Sequence, residues 1–343
     1  MNVLLSSYQA LSTLHGGPRT QLHNTARFLP DYGVSPHLFD AWKPLKKGEY
    51  DLVHLFAANI GTYHLAREIH VLDIPLVVSP IIYSLHSPSY IRTVLKGTRL
   101  LQKVGRGIWT DYALAADICS WSKCVLPNTR DEALILEKGL GVAQPKISVI
   151  PNGVDERFAN ADPSLFEEKY GLREFILNVG HTGHRRKNVL TLIKALGKID
   201  HPSVIIGRII AGSYGDACVR EAAKHKQILL IDGLENESDL LASAYAACDT
   251  FILPSLFETP GIAALEAGLA GAKIVITPHG GTKEYFGTMA KYVDPYSVDS
   301  IRNGIIASLQ SEKSTMLREH IRKEFLWPRV AEKTAVAYKK AAA

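Results

Sequence analysis

Residues 249–266 read Asp249-Thr-Phe-Ile-Leu-Pro-Ser-Leu-Phe-Glu-Thr-Pro-Gly-Ile-Ala-Ala-Leu-Glu266. The apolar run that ends at Leu253 predicts a buried strand, and the residues from about Gly261 onward predict a helix. Glu258 lies on the connecting loop, and Glu266 lies about a turn and a half into the helix, roughly 7.5 Å along its axis. Ligands of open α/β sheets bind beyond the carboxyl ends of the strands, so this loop is the predicted ligand site.

Short apolar runs alternate with amphipathic, helix-length stretches through most of the chain. Several runs are almost entirely apolar, as expected for parallel strands that helices cover on both faces. The predicted strands are Val3–Leu5, Leu52–Phe56, Leu76–Val78, Lys123–Leu126, Ile147–Ile150, Phe175–Val179, Val204–Ile210, Ile228–Ile231, Thr250–Leu253 and Lys273–Ile276. This alternation predicts a doubly wound α/β architecture.

The length of 343 residues exceeds one ordinary core and predicts two domains. Turn-forming residues in Ile150-Pro-Asn-Gly-Val-Asp155, followed by a small and polar stretch, indicate the division. We predict Rossmann-like domains over residues 1–158 and 159–326. The amphipathic segment 327–343 is predicted to form a further helix.

Composition and charge exclude several classes of protein. The chain is 46% apolar and 21% charged, as soluble enzymes are, and no run of eighteen apolar residues is present. The N-terminus is typical of a buried strand and not of a secretory signal, and the four cysteines fit neither a metal site nor a disulfide framework. We therefore expect a cytoplasmic protein. The net charge of +5 is mild, and no basic–aromatic pattern indicates a nucleic-acid partner.

The loop and helix around Glu258 have the chemistry that a phosphorylated sugar requires. A helix N-terminus offers amides and a positive dipole end to a phosphate, and Gly261 permits close approach to the backbone. Carboxylates such as Glu258 and Glu266 accept hydrogen bonds from vicinal hydroxyls. The alternative is an ordinary loop glutamate followed by a glutamate on a helix surface.

The block from Pro254 to Glu266 resembles the Glu-x7-Glu motif of glycosyltransferase family 4, and the likeness extends beyond it. Ile150–Asp155 resembles the interdomain block of that family, Gly280-Gly-Thr-Lys-Glu284 a downstream loop, and Trp327 the start of its closing helix. The resemblance covers about residues 1–340, strongly in the second half and weakly in the first. It implies the GT-B fold, in which two Rossmann-like domains face a central cleft and the last helix returns to the N-terminal domain. It also implies that the N-terminal domain binds the acceptor and the C-terminal domain the nucleotide sugar.

The resemblance implies a role for each residue that matches the motif. Glu266 would bind the nucleotide ribose, and Glu258 would hold hydroxyls of the transferred sugar. The backbone around the loop is expected to assist Glu258, at Pro260, Gly261 and Ile262.

Two further segments are implied to contact the diphosphate of the donor. In Gly180-His-Thr-Gly-His-Arg-Arg-Lys-Asn188, Arg186 and Lys187 would neutralise it. This loop is one residue longer than the family pattern, so Arg185 is an alternative to Arg186, and a solvated basic loop is the alternative for the whole segment. The Gly16-Gly17 turn after the first strand would face the same diphosphate.

The chemistry that these residues imply needs neither a metal nor a cofactor. Charge develops on the departing phosphate, so preorganised cations lower the barrier. No Asp-x-Asp motif is present in the sequence, which favours a metal-independent reaction. His86 is the candidate catalytic base, with His15 and His54 as alternatives. Because family members with this motif mostly retain the anomeric configuration, retention is the expected outcome.

Basic residues recur at helical spacing between Pro88 and Asp111, with no acidic residue among them. They are Arg92, Lys96, Arg99, Lys103 and Arg106, and they fall within an arc of roughly 80°. Tyr90, Val94, Leu101, Val104 and Ile108 cluster on the opposite side. One interpretation is a helix that lies on an anionic membrane surface as an acceptor face. The other is an ordinary surface helix with its apolar stripe in the core.

The expected activity is transfer of a hexose from a UDP- or GDP-sugar to a glycan or lipid-linked acceptor, in surface polysaccharide or O-antigen synthesis. The alternative is a non-catalytic relative that binds a nucleotide sugar as a scaffold. A nicotinamide-dependent oxidoreductase and a Walker-type NTPase are excluded, because the sequence lacks their glycine-rich motifs.

Overall fold

The structure, a computed structural model, describes residues 1–13, 16–105 and 107–342. The chain divides into two compact units. The first comprises residues 1–153 together with the C-terminal helix from Trp327, and the second comprises residues 154–326. Each unit is a parallel sheet covered by helices, which confirms the predicted α/β fold class with two such domains.

The first unit contains, within the described ranges, a five-stranded sheet in the order β2-β1-β3-β4-β5. Every pairing in it is parallel. The strands are β1 (Asn2–Ser7), β2 (Ser35–Leu38), β3 (Leu52–Phe56), β4 (Leu76–Ser79) and β5 (Cys124–Val125). The helices are α1 (Gly17–Phe28), α2 (Ile60–Val71), α3 (Pro88–Val104), α4 (Asp111–Trp121) and α5 (Arg130–Leu134), and the last helix of the chain, α14 (Trp327–Ala342), packs here as well.

The second unit contains a six-stranded parallel sheet in the order β11-β10-β9-β6-β7-β8. Its strands are β6 (Ile176–Val179), β7 (Ser203–Ile206), β8 (Ile228–Ile231), β9 (Thr250–Leu253), β10 (Lys273–Ile276) and β11 (Lys291–Tyr292). Its helices are α6 (Ser164–Tyr170), α7 (Val189–Leu196), α8 (Ser213–Ala222), α9 (Asp239–Ala247), α10 (Ile262–Ala270), α11 (Thr282–Phe286), α12 (Val298–Leu309) and α13 (Met316–Glu324).

The apolar runs form strands because both faces of each sheet are covered. Successive side chains of a strand point to opposite faces. On β9, Phe251 and Leu253 accordingly join one buried apolar cluster while Ile252 joins another. On β3, Val53 and Leu55 likewise separate from Leu52 and Phe56. A run buried on both faces must be apolar throughout, which is the pattern that the sequence shows.

The structure departs from the predicted strands in several places. The sequence Ser35-Pro36-His37-Leu38 does not resemble a strand, yet it forms β2 at the sheet edge, where a proline is tolerated. The predicted strand Ile147–Ile150 is reduced to a single bridge from Ile147 to Val125. The predicted strand Val204–Ile210 ends at Ile206, and the next residue, Gly207, lies so close to another loop that a Cβ there would be 2.0 Å from the Gly180 carbonyl oxygen.

The boundary between the units lies five residues before the predicted one, after residue 153 and not after residue 158. The Val154 amide donates to the Phe325 carbonyl at 2.8 Å, and Phe158 and Ala159 belong to the apolar core of the second unit. Gly153 packs under Trp327, since a Cβ at Gly153 would lie 2.5 Å from the indole ring. The predicted return of the last helix is confirmed, as α14 belongs to the first unit.

None of the described helices is both long enough and apolar enough to cross a bilayer.

Candidate active site

The site is built on the loop between β9 and α10. The strand ends at Leu253, and α10 begins at Ile262 after Gly261, whose φ of 81° lies in the left-handed region that favours glycine. Within the described chain no side chain caps α10. No described side chain therefore occupies its first amides, and such amides can bind a phosphate. Pro260 has no amide hydrogen, so the backbone donors expected at this point can come only from Gly261 and Ile262.

Glu258 is buried beside two basic side chains. Its carboxyl Oε1 accepts a hydrogen bond from Lys187 Nζ at 2.6 Å and lies 3.3 Å from Arg186 Nη1. Only 7% of the Glu258 side chain is exposed, against 18% for Lys187 and 41% for Arg186. Burial would raise the pKa of the Glu258 carboxyl, but Lys187 and Arg186 outweigh that effect and hold the pKa below its ordinary value of 4.5. Glu258 is therefore an ionised, paired carboxylate at neutral pH.

Backbone contacts fix the position of Glu258. Its amide donates to the His279 carbonyl at 3.1 Å, and its own carbonyl accepts from the Gly281 amide at 3.0 Å. Between these two bonds lies Gly280, with φ of 91°, where a Cβ would be 1.9 Å from the Glu258 carbonyl oxygen. The loop after β10 thus holds the acid through main-chain contacts that only glycine permits.

The three adjacent cations of the basic loop have different partners. Residues Arg185–Lys187 form a short 3-10 turn, which directs successive side chains to different sides. Arg185 stacks over the Tyr214 ring at 5.2 Å, away from the acid. Arg186 lies over the Phe257 ring and donates to the Phe257 carbonyl at 3.0 Å. Of the two arginines that the sequence left open, the structure therefore places Arg186 beside Glu258.

Lys187 is further positioned by the residues on either side of it. Its methylene groups pass over Gly180, where a Cβ would be 3.5 Å from Lys187 Cδ. Asn188, which follows it, is buried with φ of 57°, and its amide nitrogen donates to the carbonyls of Pro254 at 3.0 Å and Pro295 at 2.6 Å. Asn188 was not among the residues predicted from the sequence. An asparagine directly after a basic run was the available signal, because asparagine tolerates the left-handed conformation.

Glu266 has a different environment. It lies on α10 and is 4% exposed. Oε2 accepts from the Tyr245 hydroxyl at 2.8 Å, and Oε1 accepts from Asn236 Nδ2 at 3.1 Å. Burial raises the pKa of the Glu266 carboxyl above its ordinary 4.5, although these two hydrogen bonds oppose the shift. The pKa values of the two motif acids are therefore shifted in opposite directions, downward for Glu258 and upward for Glu266.

The partners of Glu266 were not foreseen from the sequence. Tyr245 is buried on the apolar helix α9, and the hydroxyl of a buried tyrosine usually forms a hydrogen bond with a polar partner. Arg157 donates to the carbonyls of Asn236 and, at 3.0 Å, of Glu237, and so holds the loop that presents Asn236. Neither Tyr245 nor Asn236 lies near Glu266 in sequence, so only the fold reveals this arrangement.

The remaining predicted residues lie in the first unit. Gly16 precedes α1 and Gly17 begins it, with no heavy atom within 4 Å of a Cβ placed on Gly16. His86 is exposed, and its ring lies 4.3 Å from that of Tyr90. His54 is buried, bonded to the Tyr338 hydroxyl and the Ser79 hydroxyl at 2.6 and 3.0 Å, and burial lowers its pKa to about 3. His54 is therefore structural, whereas His15 lies outside the described residues.

The basic stripe lies on α3, which ends at Val104, so Arg106 follows the helix and lies outside the described residues. Arg92, Lys96 and Lys103 are exposed and form no ion pair with a described residue. Arg99 is instead paired with Asp117 of α4. The interpretation that the opposite apolar stripe packs in the core is wrong for most of its members, because Tyr90, Leu101, Val104 and Ile108 are exposed. The reason is that α3 buries a different and narrower side, through Ile91 and Thr98.

Metal-binding side chains do not converge anywhere in the part of the chain that the structure describes. No three His, Cys, Asp or Glu residues there lie close enough together to hold an ion. The expectation of a metal-independent reaction rests on the cations beside Glu258 and stays a prediction.

Comparison with known families gives two matches that are complementary along the chain. A family model described as "Glycosyl transferases group 1" matches residues 165–324, and one described as "Glycosyltransferase Family 4" matches residues 8–158. The first covers the candidate site in the second unit, and the second covers most of the first unit.

Individual proteins show the same relationship. The chain is 27% identical over 308 residues to the UDP-Gal:alpha-D-GlcNAc-diphosphoundecaprenol alpha-1,3-galactosyltransferase of Escherichia coli, a match that covers 84% of this chain and 74% of that protein. The structure of sucrose-phosphate synthase from Thermosynechococcus elongatus aligns with a TM-score of 0.75 at 17% identity, over 98% of each chain. Anabaena HepE, solved in complex with UDP and glucose, aligns with a TM-score of 0.70 at 16% identity, again over 98% of each chain. At these identities the structural likeness shows a shared fold.

Proposed function

This chain belongs to glycosyltransferase family 4 and has the GT-B fold, and from that premise we propose that it transfers a hexose from a nucleotide-diphosphate sugar to a glycan or lipid-linked acceptor. The observation that carries the proposal is the ion cluster that Lys187 and Arg186, from the turn after β6, form with Glu258 on the loop that begins α10. It supplies fixed cations and open helix amides within one unit.

Lys187 and Arg186 are suited to stabilise the leaving group. Negative charge develops on the β-phosphate of the donor as the glycosidic bond breaks, and cations that are already in place lower that barrier. Lys187 is held at 2.6 Å from Glu258 before a donor arrives, so little reorganisation is needed. A diphosphate would give Lys187 a second anionic partner, while Glu258 accepts hydrogen bonds from hydroxyls of the hexose.

Glu266 is suited to bind the ribose. A carboxylate accepts hydrogen bonds from two adjacent hydroxyls at once. Tyr245 and Asn236 each donate to one of its oxygens, which fixes the orientation of the carboxylate. We propose that the ribose hydroxyls bind the lone pairs that these two donors leave available.

The names of the relatives support a particular substrate class. The E. coli relative is named for UDP-Gal as donor and a diphosphoundecaprenol-linked sugar as acceptor, and HepE was solved with UDP and glucose. We therefore propose a UDP-hexose as the first donor to test, with GDP-sugars second. A lipid-linked acceptor in surface polysaccharide or O-antigen assembly is the corresponding acceptor class.

The proposed reaction retains the anomeric configuration. The bond between the anomeric carbon and the diphosphate oxygen breaks, and the acceptor hydroxyl oxygen bonds to that carbon from the same face. The hydroxyl proton passes to the leaving phosphate, so a nucleoside diphosphate and the glycoside are the products. This route needs neither a metal nor a cofactor, and it needs no protein base. Should the proton pass through the protein instead, His86 is the proposed base.

Ligand-dependent thermal unfolding tests the donor assignment. UDP, GDP, ADP and their sugars are screened against the whole chain, because a ligand at about 100 times its Kd stabilises the bound fold by about 2.7 kcal/mol. A shift with UDP or GDP that is lost in Glu266→Ala and retained in the exposed-site control Glu312→Gln supports the proposal. The absence of any shift with all three nucleotides contradicts it.

Turnover separates an enzyme from a scaffold. Donor hydrolysis or transfer that survives EDTA supports metal-independent catalysis, and NMR of the product linkage reports retention or inversion. A protein that binds the nucleotide sugar tightly yet never cleaves it is the scaffold relative, and an inverted linkage rules out the front-face route.

A further inference from the structure

The outward side of α3 is unusually apolar for a helix that covers a sheet. Leu100 is 64% exposed, Leu101 53% and Val104 86%, whereas the buried side consists mainly of Ile91 and Thr98. Scattered apolar side chains on a surface are ordinary, but contiguous ones indicate a binding surface. We call Leu100, Leu101 and Val104 the apolar stripe of α3.

The apolar stripe lies beside unpaired basic residues on the same helix. At about 100° per residue, Lys96 and Lys103 lie roughly 40–60° to one side of Leu100, and Val104 lies about 40° to the other. Lys96, Lys103 and Arg92 are exposed and form no ion pair with any residue that the structure describes. The sequence of α3 contains no acidic residue. The solvent side of this helix is therefore both apolar and of a single charge sign.

A hollow beside α3 has the same mixed character. It lies between α3 and α4, has a volume of about 470 Å³, and is lined by cationic and apolar side chains. Lys96, Arg99 and Lys103 contribute three positive charges, and Asp117, which pairs with Arg99, contributes one negative charge. Leu95, Leu100 and Leu140 form apolar walls. An anion joined to an apolar chain fits these surroundings, because both parts of it find partners.

The segment after α3 continues the exposed apolar surface. Ile108 is 37% exposed and Trp109 52%, and both line a second hollow of about 390 Å³ with Tyr63 and Gln102. Tryptophan side chains are enriched where protein meets the headgroup region of a bilayer.

We propose that α3, with Ile108 and Trp109, binds the surface of an anionic lipid bilayer. The apolar stripe enters the boundary between headgroups and acyl chains, while Lys96 and Lys103 contact lipid phosphates and the hollow between α3 and α4 accepts one headgroup. This arrangement is that of a helix lying in the plane of the interface. It concerns the first unit and does not depend on the proposed donor chemistry.

The observations favour a bilayer over other polyanions or a protein partner. A nucleic acid would satisfy the lysines but would leave Leu100 and Val104 against polar phosphates and sugars. Protein interfaces are depleted in lysine relative to the rest of the surface, yet Lys96 and Lys103 flank the centre of this patch. An anionic membrane satisfies charge complementarity and apolar insertion together.

Vesicle co-sedimentation tests the electrostatic part. The whole chain is mixed with phosphatidylcholine vesicles that contain about a third phosphatidylglycerol, and with phosphatidylcholine alone. Each basic residue near such a surface contributes about fivefold in binding, so Lys96→Gln/Lys103→Gln is expected to weaken binding by about thirtyfold. The matched control Lys226→Gln/Lys323→Gln neutralises two exposed lysines of the second unit and is expected to bind as the wild type does. An equal loss of vesicle binding in the control variant would show that only the net charge of the protein matters, and it would overturn the assignment to α3.

Substitutions in the apolar stripe of α3 test its insertion into the bilayer. Leu100→Ser/Val104→Ser is expected to weaken vesicle binding by at least about tenfold, because the buried area of two side chains is lost. The control Val336→Ser changes a comparably exposed valine on α14. Wild-type binding by the Leu100/Val104 variant overturns insertion, and so does duplex DNA binding with the same dependence on Lys96 and Lys103. Thermal unfolding midpoints equal to that of the wild type confirm that the variants are folded.

Fluorescence locates the membrane contact. Quenching by brominated lipids is expected for the wild type and is expected to be largely lost in Trp109→Phe. Undiminished quenching in that variant places the contact at another tryptophan and contradicts the proposed orientation.

Discussion

Glu258 and Glu266 are both buried acids, yet their surroundings make them chemically different. Glu258 faces two cations, which hold its pKa below 4.5. Glu266 faces a phenol and an amide, and burial raises its pKa above that value. Ionisation of Glu258 therefore stabilises the fold, whereas ionisation of Glu266 opposes it, a difference that suits a carboxylate awaiting ligand hydroxyls.

Glu258→Gln is expected to lower the free energy of unfolding by about 1–2 kcal/mol at neutral pH, because Lys187 and Arg186 then face a neutral amide in place of a carboxylate. The folded pKa of Glu258 is depressed, so its contribution is present above pH 4.5 and is lost as pH falls through the folded pKa. Urea unfolding at about pH 7 and again below the folded pKa measures this difference. A deficit that stays constant with pH contradicts the charge-based account.

Glu266→Gln is expected to leave stability unchanged or to raise it by up to about 1 kcal/mol at neutral pH. The folded pKa of Glu266 is raised, so the wild type gains stability as pH falls from that pKa toward 4.5, and the advantage of the variant shrinks in the same range. Donor affinity is expected to fall by about tenfold or more. Urea unfolding and nucleotide titration measure both effects, and a clear loss of stability at pH 7 contradicts the expectation.

Lys187→Ala is expected to lower kcat by about 10²–10³, as loss of one preorganised donor to a developing anion does. Arg185→Ala is the matched control, because Arg185 lies in the same turn but stacks on Tyr214. Its effect is expected to be much smaller. Steady-state turnover with the identified donor measures both, and equal losses would show that the general basicity of the loop matters and not the position of Lys187.

At the scale of elements, the site depends on loops that hold one another through the main chain. The loop after β9 is bonded on one side to the loop after β10, through Glu258 and Gly281, and on the other side to the turn that carries Arg186, through the Leu256 amide at 2.8 Å. Asn188 adds a third connection, to the Pro295 carbonyl. Precise placement of the acid and its cations therefore follows from three strand ends that lie side by side in the sheet.

Gly280→Ala tests that mutual support. The added Cβ would lie 1.9 Å from the Glu258 carbonyl oxygen at a φ of 91°, so the loop must shift, at a cost of about 1–3 kcal/mol, and donor affinity is expected to fall with it. Gly271→Ala is the control, since Gly271 also has a positive φ, of 100°, but a Cβ there meets nothing within 4 Å. Thermal unfolding and nucleotide binding compare the two. The prediction is wrong if both variants lose donor affinity equally.

At the scale of the whole molecule, the residues proposed for donor binding and those proposed for membrane binding belong to different units. The motif acids and their cations all lie in residues 154–326, whereas α3, His86 and the Gly16-Gly17 turn lie in the first unit. The last helix contributes to the first core, where the Tyr338 hydroxyl bonds to His54. Nucleotide binding is therefore expected to stabilise the core of the second unit directly.

Calorimetry of the whole chain is expected to show that a nucleoside diphosphate at about 100 times its Kd raises the transition of the second unit by roughly 5–10 °C. Two variants assign the transitions. Tyr338→Phe removes the hydroxyl partner of His54 Nδ1 and is expected to lower the transition temperature of the first unit, whereas Glu258→Gln is expected to lower that of the second. A nucleotide that raises only the transition lowered by Tyr338→Phe contradicts the location of the donor site.

Most of the strands, the two-domain organisation and the acid pair were predictable from the sequence. The physical reason is that these signals are local: a run buried on both faces must be apolar throughout, and Glu258 and Glu266 are separated by a single loop and one helix turn. The edge strand β2 escaped prediction because Pro36 is acceptable only at a sheet edge, a fact about its neighbours.

Only the tertiary structure decided which cations meet Glu258, since Lys187 lies 71 residues away along the chain and the 3-10 turn directs Arg185 elsewhere. The same holds for Tyr245 and Asn236, which convert Glu266 into an acid with a raised pKa. On α3 the periodicity identified a basic side and an opposite apolar side. Which side of the helix is buried depends on the segments that pack against it, such as α4. Contacts between distant segments are set by packing, and periodicity along one segment carries no information about what packs against it.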